Sequence, residues 1–164
     1  MRTGLILMVL GTVLVFPVME NEAKGRSGIA REHPYAAEHI DLLPGDIQRS
    51  LKRLERSCGK QATAAHYFST TIAAGELLFR SLHFEDFACG RREAVCRFNG
   101  CLHEIYLEWG GRSRRVFSAY VSDVKLINIG DTIGLEITGG RHTKLVWNGH
   151  AFVPLHLPRK DVEP

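Results

Sequence analysis

Apolar residues recur along this chain with two different periods. Ile47, Leu51, Leu54 and Cys58 fall at i, i+4, i+7 and i+11, one face of an α-helix, with Arg49, Lys52, Arg53 and Arg56 around the rest. Asp46 is placed to cap the start of this helix, and Gly59 stands just past its last turn. The basic last turn suits the negative end of the helix dipole.

After about residue 65 the period drops towards two. Residues 66–72 are rich in aromatic and β-branched side chains, and Ala73-Ala74-Gly75 breaks the run. Residues 76–88 alternate loosely around Leu78, Arg80, Leu82, Phe84 and Phe87. Residues 102–109 alternate best, with Leu102, Glu104, Tyr106 and Glu108 on one face and His103, Ile105, Leu107 and Trp109 on the other. Segments 115–121, 123–129, 132–138 and 143–147 follow, separated by short turns that are mostly glycine-bearing. Asn148-Gly149 is a two-residue hairpin signal that should return 152–153 against 145–146. One helix first and many strands after predicts an α+β fold, a single N-terminal helix packed on a curled antiparallel sheet of about seven to nine strands.

The N-terminus follows neither period. Residues 5–19 carry no charge and only Thr12 as a polar side chain, behind Arg2. This matches a secretory signal peptide and falls short of the roughly 20 apolar residues that span a bilayer. The expected organisation is a signal peptide over 1–25, a flexible mature N-terminus over 26–42, one domain over 43–156 and a C-terminal tail over 157–164. The product is then periplasmic or secreted. An uncleaved inner-membrane anchor is the alternative, and membrane contact is expected only in that case.

Net charge changes the picture little. It is +3, and basic and acidic residues interleave along the chain. A nucleic-acid surface needs clustered basic charge, so the pattern argues against that class of partner, and none is expected.

The cysteines change it more. Four in an exported chain should be paired. Cys96 and Cys101 flank Arg-Phe-Asn-Gly, a turn that brings them together, which leaves Cys58 at the helix end for Cys89. Both pairs would staple the fold. The rival is a metal site built from all four, but Cys89-x6-Cys96-x4-Cys101 lacks the Cys-x2-Cys knuckle of a zinc site.

Residues 95–106, Val-Cys-Arg-Phe-Asn-Gly-Cys-Leu-His-Glu-Ile-Tyr, are followed by Gly110-Gly111 and Arg115-Val116-Phe117. The chain closes on Lys-Leu-Val-Trp-Asn-Gly-His-Ala-Phe-Val over 144–153. Together these resemble a pattern found in small exported proteins of rhizobia and related alphaproteobacteria. Those proteins carry a signal peptide, a short helix ending in Cys, a Cys-x-x-x-Gly-Cys hairpin, a Gly-Gly turn and a final strand. The resemblance covers roughly 47–154 and implies fold and compartment, with no activity attached. An Asp/Asn-rich turn in some of them suggests calcium. Here that place holds Ala73-Ala74-Gly75-Glu76, so calcium is not carried over.

Candidate chemistry is sparse. In an alternating strand His83 and Glu85 share a face, as a metal pair or an acid–base pair would, and a cross-strand salt bridge explains them equally well. His103 and Glu104 are strand neighbours and point to opposite faces. Ser113, Ser118 and Ser122 lack a Gly-x-Ser-x-Gly context, and the Gly-Gly pairs lie between strands, not before a helix. No catalytic residue, metal ligand or cofactor is assigned. Tyr106, Trp109, Arg112, Arg115, Tyr120 and Trp147 form a candidate patch for an anionic or sugar-bearing envelope polymer or a protein partner. The leading expectation is a non-enzymatic exported envelope protein that binds or supports. The alternatives are a small exported hydrolase or enzyme inhibitor using the His83/Glu85 region, and a membrane-tethered accessory protein. A cleft in which His83, Glu85 and a third polar group converge would distinguish an enzyme.

Overall fold

A computed structural model describes residues 35–139 and 143–155. The expected signal peptide and C-terminal tail lie outside the described residues. Within the segment expected to be a flexible N-terminus, Glu38–Asp41 form a one-turn helix α1, and Ala36 bridges Ala64.

Helix α2 spans Gly45–Cys58. Ile47, Leu51 and Cys58 are buried and Leu54 packs beside them, the face that the spacing predicts. Gly59 ends the helix at φ 79°, a left-handed conformation that glycine adopts without a Cβ clash. Asp46 is not the cap. Pro44 occupies that position, and the Asp46 carboxylate accepts the Ser113 backbone N–H at 3.0 Å, tying the first turn of α2 to the sheet.

The described strands number eleven and form three sheets, not one curled sheet. β1 (Thr63–Ala64) pairs with β4 (Phe87–Ala88). A five-stranded sheet holds β2 (Ser69–Ala74), β3 (Leu77–His83), β5 (Cys96–Arg97), β6 (Gly100–Trp109) and β7 (Arg112–Val121). A four-stranded sheet runs β11 (Phe152–Pro154), β10 (Thr143–Trp147), β9 (Thr132–Thr138), β8 (Asp123–Ile129). All pairings are antiparallel. Only Ser122 separates β7 from β8, so the chain passes from one large sheet to the other at that point. Residues 66–68, read as strand from composition, form a 3-10 turn that sinks Phe68 into the core. The Asn148-Gly149 turn is wider than two residues. The Asn148 side chain accepts the N–H groups of His150 and Ala151, and Val146 then faces Val153.

β6 is the spine of the five-stranded sheet, with β3 on one edge and β7 on the other. Its alternation divides two cores. Leu102 and Tyr106 join Leu82, Phe84 and Phe87 under Ile47 and Leu51 of α2. Ile105 and Leu107 join Phe79 against Val124, Ile133, Leu135 and Trp147 of the four-stranded sheet. The order is therefore helix, sheet, sheet. Two buried faces explain why β6 is so apolar for an antiparallel strand.

Cys58–Cys89 and Cys96–Cys101 are both disulfides, which rules out a four-thiolate metal site. The first ties the end of α2 to the segment after β4, and the second closes the β5–β6 hairpin. Gly100 in that hairpin is at φ 130°, and a Cβ there would lie 2.0 Å from the Val121 carbonyl oxygen. Two disulfides point to an oxidising environment outside the cytoplasm. Among the described residues no helix is long and apolar enough to cross a membrane.

Candidate functional site

Strand register brings two histidines together. His83 of β3 is directly opposite His103 of β6, and both side chains leave the face that packs on the second sheet. Their rings meet edge to face, with centroids 5.3 Å apart. Glu85 arrives differently from the expectation. It sits on a 3-10 turn, Phe84–Asp86, not on the strand. Phe84 is anchored in the helix-side core at 1% exposure, and the turn carries the Glu85 carboxylate back over the two imidazoles.

One Glu85 oxygen is 3.5 Å from His103 Nε2, and the other is 3.8 Å from His83 Nδ1. The three ligand atoms lie within 4.8 Å of one another. On the far side of His83, Nε2 is 3.3 Å from the Thr70 hydroxyl. A proton on Nε2 donated to Thr70 leaves the Nδ1 lone pair facing Glu85. His103 is wholly buried, and neither ring nitrogen has a hydrogen-bond partner. The Glu85 Oε2 atom is buried and unpartnered as well. Each such atom costs about 1–3 kcal/mol if nothing satisfies it.

The electrostatics fit a cation between them. His103 is pushed down to about 4 by burial and then by His83, against Asp123 and the Val121 backbone. His83 is lowered by burial, against the attraction of Asp123 and Asp86. Both imidazoles are therefore neutral at pH 7, the form that ligates metal. Burial also raises Glu85; Asp86 and Asp123 add to this, and Arg92 opposes it. Zinc bonds of about 2.0–2.2 Å place tetrahedral ligand atoms roughly 3.3 Å apart. The two Glu85 contacts, 3.5 and 3.8 Å, are near that spacing already. Two His and one Glu are a donor set for Zn2+ that leaves a fourth position open. Thr70, behind His83, holds the ring with its Nδ1 towards Glu85.

These shifts give the metal-free protein a defined pH dependence. The unfolded chain protonates its histidines near 6.5, whereas native His103 waits until about 4. The unfolded state therefore binds more protons in that window, and stability falls as pH drops from about 6.5 towards 4. Glu85 has the opposite sign: its raised native affinity for the proton adds stability as pH falls through its own titration. His103 carries the largest of these shifts and sets the net direction. Urea midpoints of the metal-free protein should decline across this range, and His103→Leu should flatten the decline. Equal slopes for the two proteins would contradict the assignment.

Sequence reasoning named His83 and Glu85 but set His103 aside because Glu104 points away from it. The usable signal was His103 itself, a histidine on the apolar face of β6 beside Ile105 and Leu107.

The candidate aromatic–basic patch does not assemble. Tyr106 is 4% exposed and lies under α2, its hydroxyl donating to Glu104 at 2.7 Å. Burial and the Glu104 charge push it up to about 12. Arg115 pairs with the same carboxylate. Trp147 is 6% exposed and packs edge-on against Phe79 and Phe152 in the second core. Tyr120 lies beneath the Arg97 guanidinium, 3.9 Å away. Trp109 and Arg112 stay together as exposed cross-strand neighbours at the β6–β7 turn, and Tyr106 and Arg115 pair further along the same two strands. Trp109 and Arg112 line a cleft of about 430 Å3 with Leu77, Leu107, Arg114 and Gly149.

No protein-family model matches this chain, and neither a curated protein nor a solved structure matches it.

Proposed function

We propose that this is an exported, disulfide-stapled domain that binds a divalent transition-metal ion, zinc above all, through His83, Glu85 and His103. The observation that carries the reading is His103, a fully buried imidazole with both nitrogens unpartnered, facing a buried carboxylate oxygen that is also unpartnered. A bound cation satisfies both. Three protein ligands leave a coordination position for water or a ligand, so the site suits hydrolysis or ligand capture better than a closed structural role. This favours the expectation built on the His83/Glu85 region, and His103 is its third polar group.

The periplasm or the exterior is the compartment of this reading. It is supported by the two disulfides and by the resemblance to small exported rhizobial proteins. Capture of an envelope polymer is a second reading, supported by the exposed Trp109 beside Arg112 and Arg114.

The test is isothermal titration of the metal-stripped, disulfide-intact protein with ZnCl2. One site per chain with a dissociation constant below about 1 μM is expected, roughly 8 kcal/mol of binding free energy. Zinc at a hundredfold excess over that constant should add about 2.7 kcal/mol to unfolding stability. No saturable binding, or binding unchanged in Glu85→Ala, would sink the reading.

A further inference from the structure

His83 borders one cleft and Glu85 borders another, and the two clefts differ in charge. The first, about 440 Å3, is lined by His83, Thr70, Asp123 and Lys125 among others. The second, about 620 Å3, is lined by Glu85, Arg92, Arg97 and Phe98, with the Cys96–Cys101 disulfide in its wall. Two guanidiniums therefore share this cleft with a residue assigned to the metal.

We infer that the second cleft takes a small molecule bearing an oxyanion, a carboxylate or a phosphate, whose oxygen fills the open position on the metal while Arg92 and Arg97 hold its remaining charge. This deepens the metal-binding reading and rests on it.

Neither arginine meets a carboxylate at ion-pair distance among the described residues. Arg92 reaches the Cys101 sulfur at 3.9 Å, a weak contact that leaves most of its donors available. Arg97 is held over the Tyr120 ring, which fixes its plane at little conformational cost. A planar guanidinium with paired donors matches carboxylate and phosphate oxygens, and two of them beside a metal ion make a clamp for an oxyanion. The other cleft is the poorer anion site, because Asp123 lines it.

Phe98 adds an apolar element. It is fully exposed at the tip of the β5–β6 hairpin, a place where a large apolar side chain has no folding role. The disulfide and the close fit of Gly100 against Val121 hold that hairpin in place. Its ring offers a flat surface for the carbon skeleton of the ligand. A bare inorganic anion would use the metal and the arginines alone, and an organic acid would use Phe98 as well.

The experiment titrates zinc first, and then adds inorganic phosphate or benzoate to the zinc-loaded protein. It is run on the wild type and on the Arg92→Ala/Arg97→Ala double variant. The wild type should bind at least one probe at one site, and at least about tenfold more tightly with zinc than without. The double variant should hold zinc within about twofold and lose about tenfold or more in anion affinity. Tighter benzoate than phosphate, lost in Phe98→Ala, would identify an organic acid as the ligand; the reverse order would identify phosphate. A zinc-loaded protein that binds neither probe, or a double variant that binds them as the wild type does, overturns the inference and leaves the metal site standing. Absence of zinc binding in the first titration overturns both.

Discussion

His103→Leu should stabilise the metal-free protein by about 1 kcal/mol and abolish its response to zinc. Leucine has nearly the bulk of histidine and no polar atom to satisfy. The wild-type ring is wholly buried on a face that continues into Ile105 and Leu107, with neither nitrogen partnered. Removing it relieves a desolvation cost of about 1–3 kcal/mol, less whatever the imperfect fit returns. In zinc the order reverses. At about a thousandfold excess over the dissociation constant the wild type gains about 4 kcal/mol, and the variant gains none. The two unfolding curves should therefore cross as zinc is added. If His103 were an ordinary core residue, the variant would be the less stable protein at every zinc concentration. The Ser81 hydroxyl, buried and unpartnered on the same face of β3, is a neighbour the substitution leaves alone.

The second large effect belongs to the Cys58–Cys89 disulfide. Its sequence separation is 31, against 5 for Cys96–Cys101. In the chain-entropy model these loops are worth about 3.7 and about 2 kcal/mol. Cys58→Ala/Cys89→Ala should therefore lower unfolding stability nearly twice as much as Cys96→Ala/Cys101→Ala. It should also reach the metal. Glu85 lies four residues before Cys89, on a turn held by Phe84 and by the short β1–β4 pairing, whereas both histidines sit on strands of the large sheet. Freeing the end of that segment lets Glu85 drift while the histidines stay. Zinc affinity should fall by about tenfold, the usual scale for a loosened ligand. Denaturation in urea and zinc titration of the same two variants check both statements. Equal losses of stability would contradict the loop-length argument.

Much of the scaffold was legible in sequence because its determinants are local. The 3.6-residue period of Ile47, Leu51, Leu54 and Cys58 located α2, and Gly59 marked its end. Alternation located β6, and glycine turns fixed β8 and β9 to the residue. The Asn99-Gly100 turn foretold Cys96–Cys101, and elimination then gave Cys58–Cys89. What sequence did not show is what layers do to faces. Tyr106 was expected in a binding patch, yet α2 covers that side of β6 and buries it. Trp147 read as a surface aromatic, yet the second sheet turns it inward. Both departures dismantle the proposed patch. The short pieces also escaped: two-residue strands and 3-10 turns carry no period.

The candidate site was half visible for the same reason. His83 and Glu85 are two residues apart, so a local rule found them. His103 reaches them only through the β3–β6 register, twenty positions away in the chain, and Glu85 reaches them only because Phe84 anchors a 3-10 turn. A pattern search along one strand cannot see a partner on the next.

The most direct measurement is zinc K-edge X-ray absorption on the protein loaded with one equivalent of zinc. The expected result is a four-coordinate shell of nitrogen and oxygen at about 2.0–2.1 Å, outer scattering from two imidazoles and no sulfur. In Glu85→Ala one light ligand should be replaced by water or lost, with the two-imidazole signal kept. A six-coordinate shell of oxygen alone, or a sulfur shell near 2.3 Å, would place the zinc elsewhere and contradict the assignment of His83, Glu85 and His103.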